Sequence, residues 1–376
     1  MIYLDNAATT GIKPRSVINA VNYALNNLSA NPGRGGYETS NNAAMTVYEC
    51  RSTIKEFVNC ESENNVCFTL NCTHSINTVL QGTLKEGDHV ITSSLEHNAV
   101  IRPIFNLFLE KHLQYSVAQV DKDNKVTVKN FEKLIRKNTK MIIVTAASNV
   151  IGRLLPLYEI GQLCKEKNIL FAVDAAQAAG VIPIDMKQMN IDYLCIAPHK
   201  GFYAPMGTGI LVAQKGIDKV ILQGGTGVNS VDLTQPEELP ERIESGTVNL
   251  PGIAGIKAGV NFVKNKKSEK IYKHEIEICQ HLYNKLLKSG ATLYNERPEI
   301  NAFAPVVSFN YYGFESTKVA DLLAQNGIAV RSGLHCAPLA HKQIGTVNIG
   351  TVRVSPSAFN SADDIDKLMF VLKKLI

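Results

Sequence analysis

Short apolar runs alternate with segments of helical spacing along the first two thirds of the chain. In residues 42–59, for example, Val47, Ile54, Phe57 and Val58 recur at helical intervals. Strands separated by helices are typical of a largely parallel sheet covered on both faces, which binds ligands beyond the carboxyl ends of its strands. The pattern predicts helices over 42–59, 74–86 and Leu157–Glu166, and strands over Val66–Leu70, Val90–Thr92, Tyr115–Val120, Met141–Thr145, Leu170–Asp174, Tyr193–Ala197 and Ile210–Ala213.

The pattern changes after about residue 265, where a long helical stretch is followed by short strands and a final helix. The elements predicted there are Tyr272–Lys288, Pro305–Phe309, 316–326, Ile328–Val330, Val352–Val354 and Ala362–Leu375. They predict a smaller α+β unit. We therefore expect an α/β protein with an N-terminal arm over 1–14, a large domain over 15–265 and a small C-terminal domain over 266–376.

Composition excludes several classes of function. The 376 residues are 45% hydrophobic and 19% charged, with a net charge of +5 and no arginine-rich tract, so nucleic acid is not the expected partner. No apolar run approaches the roughly 18 residues of a membrane span, and Met1–Asp5 does not begin a signal peptide. The eight cysteines show no C-x-x-C pattern and no zinc spacing, which predicts no metal site and a reducing, cytoplasmic compartment.

A lysine and an acid follow two successive predicted strands. Lys200 ends the segment Ala197-Pro198-His199-Lys200, and Asp174 ends the strand Leu170–Asp174, with Gln177 one helical turn further on. A lysine amine can hold an aldehyde as a Schiff base, and a carboxylate can keep a pyridine nitrogen protonated so that the ring accepts electrons. This pair predicts a site for pyridoxal phosphate (PLP).

Three polar residues after other strands each have two interpretations. Thr73 opens a helix, where free amides favour a phosphate, although a threonine there also serves as a plain helix cap. His97 lies in a loop and either stacks on a flat cofactor ring or is simply solvated. Asn149 binds a carboxylate or a ring oxygen, or is a turn residue before Gly152.

Two residues near the end of the chain are candidates for substrate chemistry. Cys336 lies in a loop between glycine and proline, where the neighbouring Arg331 and His335 favour a reactive thiolate; the alternative is an inert cysteine. Arg353 lies in a buried strand and needs an anionic partner, either a substrate carboxylate or a carboxylate of the protein itself.

The order of these features resembles the class V aminotransferase family of fold-type I PLP enzymes, and within it the cysteine desulfurase and selenocysteine lyase branch. The resemblance extends from Tyr3 to the last helix. It depends on the series Tyr3-Leu4-Asp5-Asn6-Ala7-Ala8-Thr9-Thr10, Thr73, His97, Asn149, Asp174-x-x-Gln177, His199-Lys200, Gly246-Thr247, Arg331-x-Gly333-x-His335-Cys336-Ala337-Pro338 and Arg353.

The resemblance implies how PLP would be held. Lys200 would bind it covalently and later move protons, and Asp174 would pair with the pyridine nitrogen. Gln177 would bond the phenolic oxygen, and His97 would stack on the ring. The phosphate would be held by Cys72, Thr73 and His199, and by Thr247 from a neighbouring subunit, which implies a homodimer.

The resemblance also implies the substrate site. Asn149 and Arg353 would hold the carboxylate of L-cysteine or L-selenocysteine, with Arg331 nearby. Cys336 would accept the sulfur as a persulfide, release alanine and pass the sulfur to an acceptor protein. Other small amino acids, handled by an aminotransferase or lyase, and a scaffold without enzymatic activity are the alternatives.

The sequence departs from the family at two positions. Ala197 replaces the serine or threonine whose hydroxyl contacts the phosphate, so one hydrogen bond to the cofactor is missing. His74 stands where relatives often carry glutamate. A net hydrogen bond to a charged group contributes roughly 1.5–3 kcal/mol, so the first departure weakens the expected affinity for PLP without abolishing it.

Overall fold

The computed structural model describes residues 1–375, which form thirteen β-strands, eleven α-helices and two short 3-10 helices. The strands are β1 (Ile2–Tyr3), β2 (Val66–Thr69), β3 (His89–Ser93), β4 (Gln114–Ala118), β5 (Thr139–Thr145), β6 (Leu170–Asp174), β7 (Tyr193–Ile196), β8 (Gly209–Ala213), β9 (Ala291–Leu293), β10 (Val307–Tyr311), β11 (Ile328–Ala329), β12 (Arg331–Gly333) and β13 (Thr351–Val354). The helices are α1 (Arg15–Asn27), α2 (Glu38–Val58), α3 (Cys72–Thr83), α4 (Asn98–Lys111), α5 (Asn124–Leu134), α6 (Leu157–Lys167), α7 (Leu250–Lys266), α8 (Ser268–Leu287), α9 (Ser316–Gln325), α10 (Pro338–Gln343) and α11 (Ala362–Leu372).

Seven strands form the central sheet, in the order β2-β8-β7-β6-β5-β3-β4. Neighbouring strands from β7 to β4 are parallel, whereas β8 is antiparallel to both β7 and β2. No helix lies between β7 and β8, and a strand that returns without a helical crossover runs antiparallel to its predecessor. The largely parallel sheet expected from the sequence is confirmed, with this one strand reversed.

Side chains along the central strands alternate between two apolar clusters, one on each face of the sheet. In β5, Ile142 and Val144 belong to the cluster that α2, α6 and α7 cover, whereas Met141 and Ile143 belong to the cluster beneath α3 and α4. Because both faces are buried, the strands consist of continuous apolar runs rather than alternating ones. Helices α1, α4, α5 and α7 were not individually predicted from the sequence.

A second, antiparallel sheet of four strands, β12-β13-β10-β9, packs against α8, α9 and α11. The start of the chain joins this region, because β1 pairs with β11 and Leu4 is buried in the same cluster. The last helix ends at Leu372 rather than at the predicted Leu375. Residues Lys373–Leu375 form a 3-10 turn. The division into an arm and two domains remains a prediction. No helix in residues 1–375 has the length and apolar composition needed to cross a membrane.

A buried carboxyl group between the two regions leads to the first prediction. Glu275 on α8 accepts a hydrogen bond of 3.2 Å from the hydroxyl of Tyr203, and burial raises the pKa of Glu275 from 4.5 to about 8. Between these pH values the folded state binds the extra proton, so the free energy of unfolding falls as pH rises, by up to about 1.4 kcal/mol per unit. We expect Glu275→Gln to be more stable than the wild type at pH 8 and nearly equal to it at pH 5, measured by thermal unfolding.

The exposed Glu277 on the same helix provides the control, since Glu277→Gln is the same chemical change outside the core and should alter the melting temperature only slightly. A stability difference for Glu275→Gln that does not vary with pH would contradict the raised pKa.

Candidate active site

The carboxyl ends of three neighbouring strands meet at one edge of the central sheet. Thr145 at the end of β5 pairs with Asp174 at the end of β6, which in turn pairs with Cys195 in β7, four residues before His199. Beyond these ends lies a cavity of about 220 Å³. Ten of the residues predicted from the sequence line it: Cys72, Thr73, His97, Asn149, Asp174, Gln177, His199, Lys200, Arg331 and Arg353.

Lys200 reaches this cavity from the turn after β7. Its Nζ has no hydrogen-bond partner among residues 1–375, and the residue is half-buried. Burial lowers the pKa of Lys200, and the negative charge of Asp174 opposes part of that shift. A lowered pKa increases the fraction of neutral amine, which is the form that adds to an aldehyde.

Asp174 is held in a fixed orientation by its neighbours. One carboxylate oxygen, Oδ1, accepts a hydrogen bond of 2.9 Å from the amide of Ala176 and a longer one of 3.6 Å from the thiol of Cys72. Burial and the nearby Asp174 raise the pKa of Cys72 well above its usual value, so this thiol stays protonated and donates. Asp174 therefore provides a buried negative charge at the edge of the sheet.

The beginning of α3 provides two free backbone donors. The side chain of Asn71, and not of Thr73, caps this helix, since its Oδ1 accepts a hydrogen bond of 2.9 Å from the amide of His74. The amides of Cys72 and Thr73 have no acceptor in the described chain, and they border the cavity. Free amides at a helix start bind anions such as phosphate. The interpretation of Thr73 as a helix cap is therefore wrong.

Burial disfavours the charged form of two histidines that border the cavity. Burial lowers the pKa of His97, whose Nδ1 caps α4 by accepting a hydrogen bond of 3.0 Å from Ala99. Burial also lowers the pKa of His199 to about 4, and its Nδ1 lies 3.0 Å from the hydroxyl of Thr9. Each ring thus keeps its other nitrogen for a ligand.

Amide and guanidinium groups border the opposite part of the cavity. Gln177 donates from Nε2 to the carbonyl of Ala7 at 2.9 Å, and Asn149 donates from Nδ2 to the carbonyl of His335 at 2.7 Å. The Nη2 of Arg353 lies 2.7 Å from Oδ1 of Asp5, so the arginine does have a carboxylate partner within the protein. Its Nε has no partner among residues 1–375 and retains a donor.

Cys336 is the one exposed cysteine among the residues that the structure describes. Its Sγ lies 3.5 Å from Nη2 of Arg331, which itself borders the cavity. His335 is different from expectation: burial lowers its pKa to about 2, and its Nε2 lies 3.0 Å from the hydroxyl of Thr351. His335 is therefore neutral and adds no positive charge beside the thiol, whereas the guanidinium of Arg331 lies next to it.

The loop that carries Cys336 has a fixed backbone. His335 and Cys336 have positive φ angles of 49° and 58°, in the left-handed region. Their carbonyl groups accept hydrogen bonds from the Asn149 side chain at 2.7 Å and from the Asn98 amide at 2.7 Å. These bonds tie the loop to the beginning of α4 and to Asn149.

Thr247 does not border the cavity. It is exposed, and its hydroxyl lies 3.3 Å from Nδ2 of Asn31. Glu96, which the sequence pattern did not indicate, is a buried acid that accepts a hydrogen bond of 3.0 Å from the amide of Thr145. Burial raises the pKa of Glu96 to about 8. The only available signal was an acid next to His97 directly after a strand.

Ala197 borders the cavity, and the resemblance implies a hydroxyl at this position, which leads to the second prediction. Ala197→Ser should tighten PLP binding by about tenfold, because a hydrogen bond to a charged phosphate contributes roughly 1.5–3 kcal/mol. Fluorescence titration of the apoprotein with PLP measures the change. Ala197→Thr and Ala197→Val form a matched pair, since only the threonine should improve binding; equal affinities in the pair would contradict the prediction.

The fold and the cavity together define a class of protein. A largely parallel sheet covered by helices, with a half-buried unpaired lysine, a strand-end carboxylate and free amides at a helix start, has the features of a fold-type I PLP enzyme. The chain belongs to the class-V aminotransferase family, whose model matches residues 2–368. In the part of the chain that the structure describes, no group of three or more His, Cys, Asp or Glu side chains is arranged to hold a metal ion.

Similar proteins indicate which branch of the family the chain resembles. A probable cysteine desulfurase from Pyrococcus abyssi is 33% identical over 384 residues, which cover 100% of this chain and 94% of the relative. A probable cysteine desulfurase from Borreliella burgdorferi is 30% identical over 100% of this chain and 92% of the relative. The apo structure of a cysteine desulfurase from Thermococcus onnurineus superposes with a TM-score of 0.92 at 30% identity, covering 100% of this chain and 94% of that one.

Proposed function

We propose that this protein is a PLP-dependent cysteine desulfurase that converts L-cysteine to L-alanine and receives the sulfur on Cys336. The observation that carries the proposal is that Arg331 joins the cavity to the exposed thiol, since it borders the cavity and lies 3.5 Å from Sγ of Cys336. Relatives described as cysteine desulfurases match along the whole chain, which supports the same reaction.

The residues of the cavity fit PLP. Lys200 would bind its aldehyde carbon, and Asp174 would pair with the pyridine nitrogen. The phosphate would lie at the free amides of Cys72 and Thr73, next to His199. Gln177 would contact the phenolic oxygen, and His97 would stack on the ring. When bound, PLP supplies an electron-accepting ring.

Side chains of the protein would carry out proton transfer, substrate binding and sulfur transfer. Nζ of Lys200 takes the α-proton of the substrate, because its lowered pKa leaves a neutral amine available as a base. Arg353 and Asn149 hold the substrate carboxylate. Sγ of Cys336, which lies 3.5 Å from Nη2 of Arg331, would attack the substrate sulfur. The new S–S bond replaces the Cβ–S bond of cysteine, so that Cys336 and L-cysteine give a Cys336 persulfide and L-alanine.

The same site fits two related activities. Selenocysteine differs from cysteine by one atom, so selenocysteine lyase activity is the alternative that needs no change in the residues. Another class V reaction on a small amino acid would leave Cys336 unused. A scaffold would have no need for Lys200 and Asp174 in one cavity, and failure to bind PLP would favour it.

The proposal includes a homodimer and an acceptor protein for the persulfide sulfur. Thr247 would contact the phosphate of the neighbouring subunit, which is consistent with its exposure outside the cavity. Val231 and Leu233, in the same connection between β8 and α7 as Thr247, are almost completely exposed and would be available to a partner surface. We place the protein in the cytoplasm, in keeping with its free cysteines.

The test is direct. The purified protein should be yellow, and with L-cysteine and a reductant it should release sulfide and alanine in equal amounts. A yellow protein that forms a keto acid without sulfide would show a different class V reaction. A preference for L-selenocysteine over L-cysteine would favour the lyase.

A further inference from the structure

The guanidinium of Arg353 is held from two sides within the protein. Nη2 lies 2.7 Å from Oδ1 of Asp5, and Nη1 donates to the carbonyl of Asn149 at 3.1 Å. The Arg353 side chain is 1% exposed and that of Asp5 is 19% exposed. A guanidinium has five N–H donors, and these two contacts use one from each terminal nitrogen. Donors therefore remain for a ligand in the cavity.

Asp5 is brought to Arg353 by the backbone. The amide of Leu4 donates to Ala329 at 2.9 Å, and the amide of Asn6 donates to the carbonyl of Ser355 at 3.2 Å. Asp5 and Ser355 form a bridge. Ser355 lies two residues after Arg353 in the extended chain. The side chains of Ser355 and Arg353 therefore lie on the same face. These contacts place the backbone of Asp5 beside Arg353 independently of the ion pair.

The carboxylate of Asp5 also offsets the positive charges of two neighbouring arginines. Arg331 in β12 lies directly opposite Arg353 in the antiparallel ladder. The two guanidinium groups repel each other, and an unpaired charge in a buried site is costly. Without the carboxylate of Asp5, Arg353 would lose both its closest countercharge and the contact that orients Nη2.

We propose that Asp5 is a positioning residue, which aligns the Arg353 guanidinium so that its free N–H groups meet the carboxylate of the substrate. For the identity of the substrate this inference rests on the proposed function. Asp5 touches neither the substrate nor the reacting sulfur. Its loss therefore impairs carboxylate binding and leaves the chemical step largely intact.

Steady-state kinetics with L-cysteine tests the inference. Asp5→Ala should raise KM by about tenfold or more and change kcat by less than about threefold, because a charge-assisted hydrogen bond that orients the arginine is lost. Asp5→Asn keeps an oxygen acceptor for Nη2, so it should restore part of the affinity. A fall in kcat with unchanged KM would overturn the proposal.

A binding measurement separates this inference from the proposed activity. The probe is 3-mercaptopropionate, which carries a thiol and a carboxylate but no amine, titrated calorimetrically into the PLP-loaded protein. Asp5→Ala should weaken its binding by about tenfold and leave that of 2-mercaptoethanol, which lacks the carboxylate, unchanged. If the wild type releases no sulfide from cysteine but this difference persists, the desulfurase proposal fails and the role of Asp5 stands.

Three results would overturn the role of Asp5. They are unchanged binding of 3-mercaptopropionate, equal weakening of both probes, and tighter binding of the carboxylate, which would make Asp5 a competitor. If Asp5→Ala does not fold, Asp5→Asn decides: at least about threefold weaker binding of 3-mercaptopropionate supports the proposal, and no change contradicts it.

Discussion

Lys200→Ala should abolish sulfide release from L-cysteine, with a loss of at least about 10³-fold, because one side chain both attaches the cofactor and moves the α-proton. The variant should also lose the visible absorption of lysine-bound PLP and release the cofactor more readily on dialysis. Absorption spectra and sulfide assays of the same preparations measure both effects.

Two further variants serve as comparisons for Lys200→Ala. Lys200→Arg keeps a positive charge but cannot bind the aldehyde, so it should be as inactive as Lys200→Ala. Lys215→Ala removes an exposed lysine beyond β8 and should leave spectrum and activity unchanged. A normal visible spectrum in Lys200→Ala would refute the covalent role. Partial recovery of activity by added methylamine would support the role in proton transfer.

Cys336→Ala should keep the cofactor spectrum and lose sulfide release by at least about 100-fold, because the thiolate is the nucleophile that receives the sulfur. The cavity does not include this residue, so PLP binding and thermal stability should stay within the range of the wild type. Sulfide and alanine assays measure the loss of activity. Mass spectrometry of the wild-type protein after exposure to cysteine locates the persulfide.

Cys60→Ser provides the matched control, since this buried thiol donates only to the carbonyl of Ser62 and a hydroxyl preserves that contact. It should retain full activity. Unchanged turnover in Cys336→Ala, or a persulfide on another cysteine, would rule out Cys336 as the acceptor. Loss of the PLP spectrum in Cys336→Ala would instead show that the loop supports the cofactor site.

Much of the site could be predicted from the sequence because its residues directly follow strands. The apolar runs before Asp174 and Lys200 indicate parallel strands, and parallel strands bring their carboxyl ends to one edge. Residues far apart in the chain therefore converge without any knowledge of their contacts. An amine, a carboxylate and a thiol at one site restrict which reactions are chemically possible. The resemblance to the class V family then indicates which of these reactions to expect.

Other features depend on contacts between distant segments, and spacing along the chain does not predict them. The pairing of Asp5 with Arg353 joins residues 348 positions apart. The neutral state of His335 follows from its burial against Thr351, and the free amides of α3 follow from the side-chain orientation of Asn71.

The sequence by itself therefore determined the sheet, the reactive residues and the expected cofactor, since these depend on local pattern and side-chain chemistry. Only the tertiary structure decided which charges are paired, which histidines stay neutral and which donors remain free for a ligand. Desolvation and distance set those properties, and both arise only when the chain is packed.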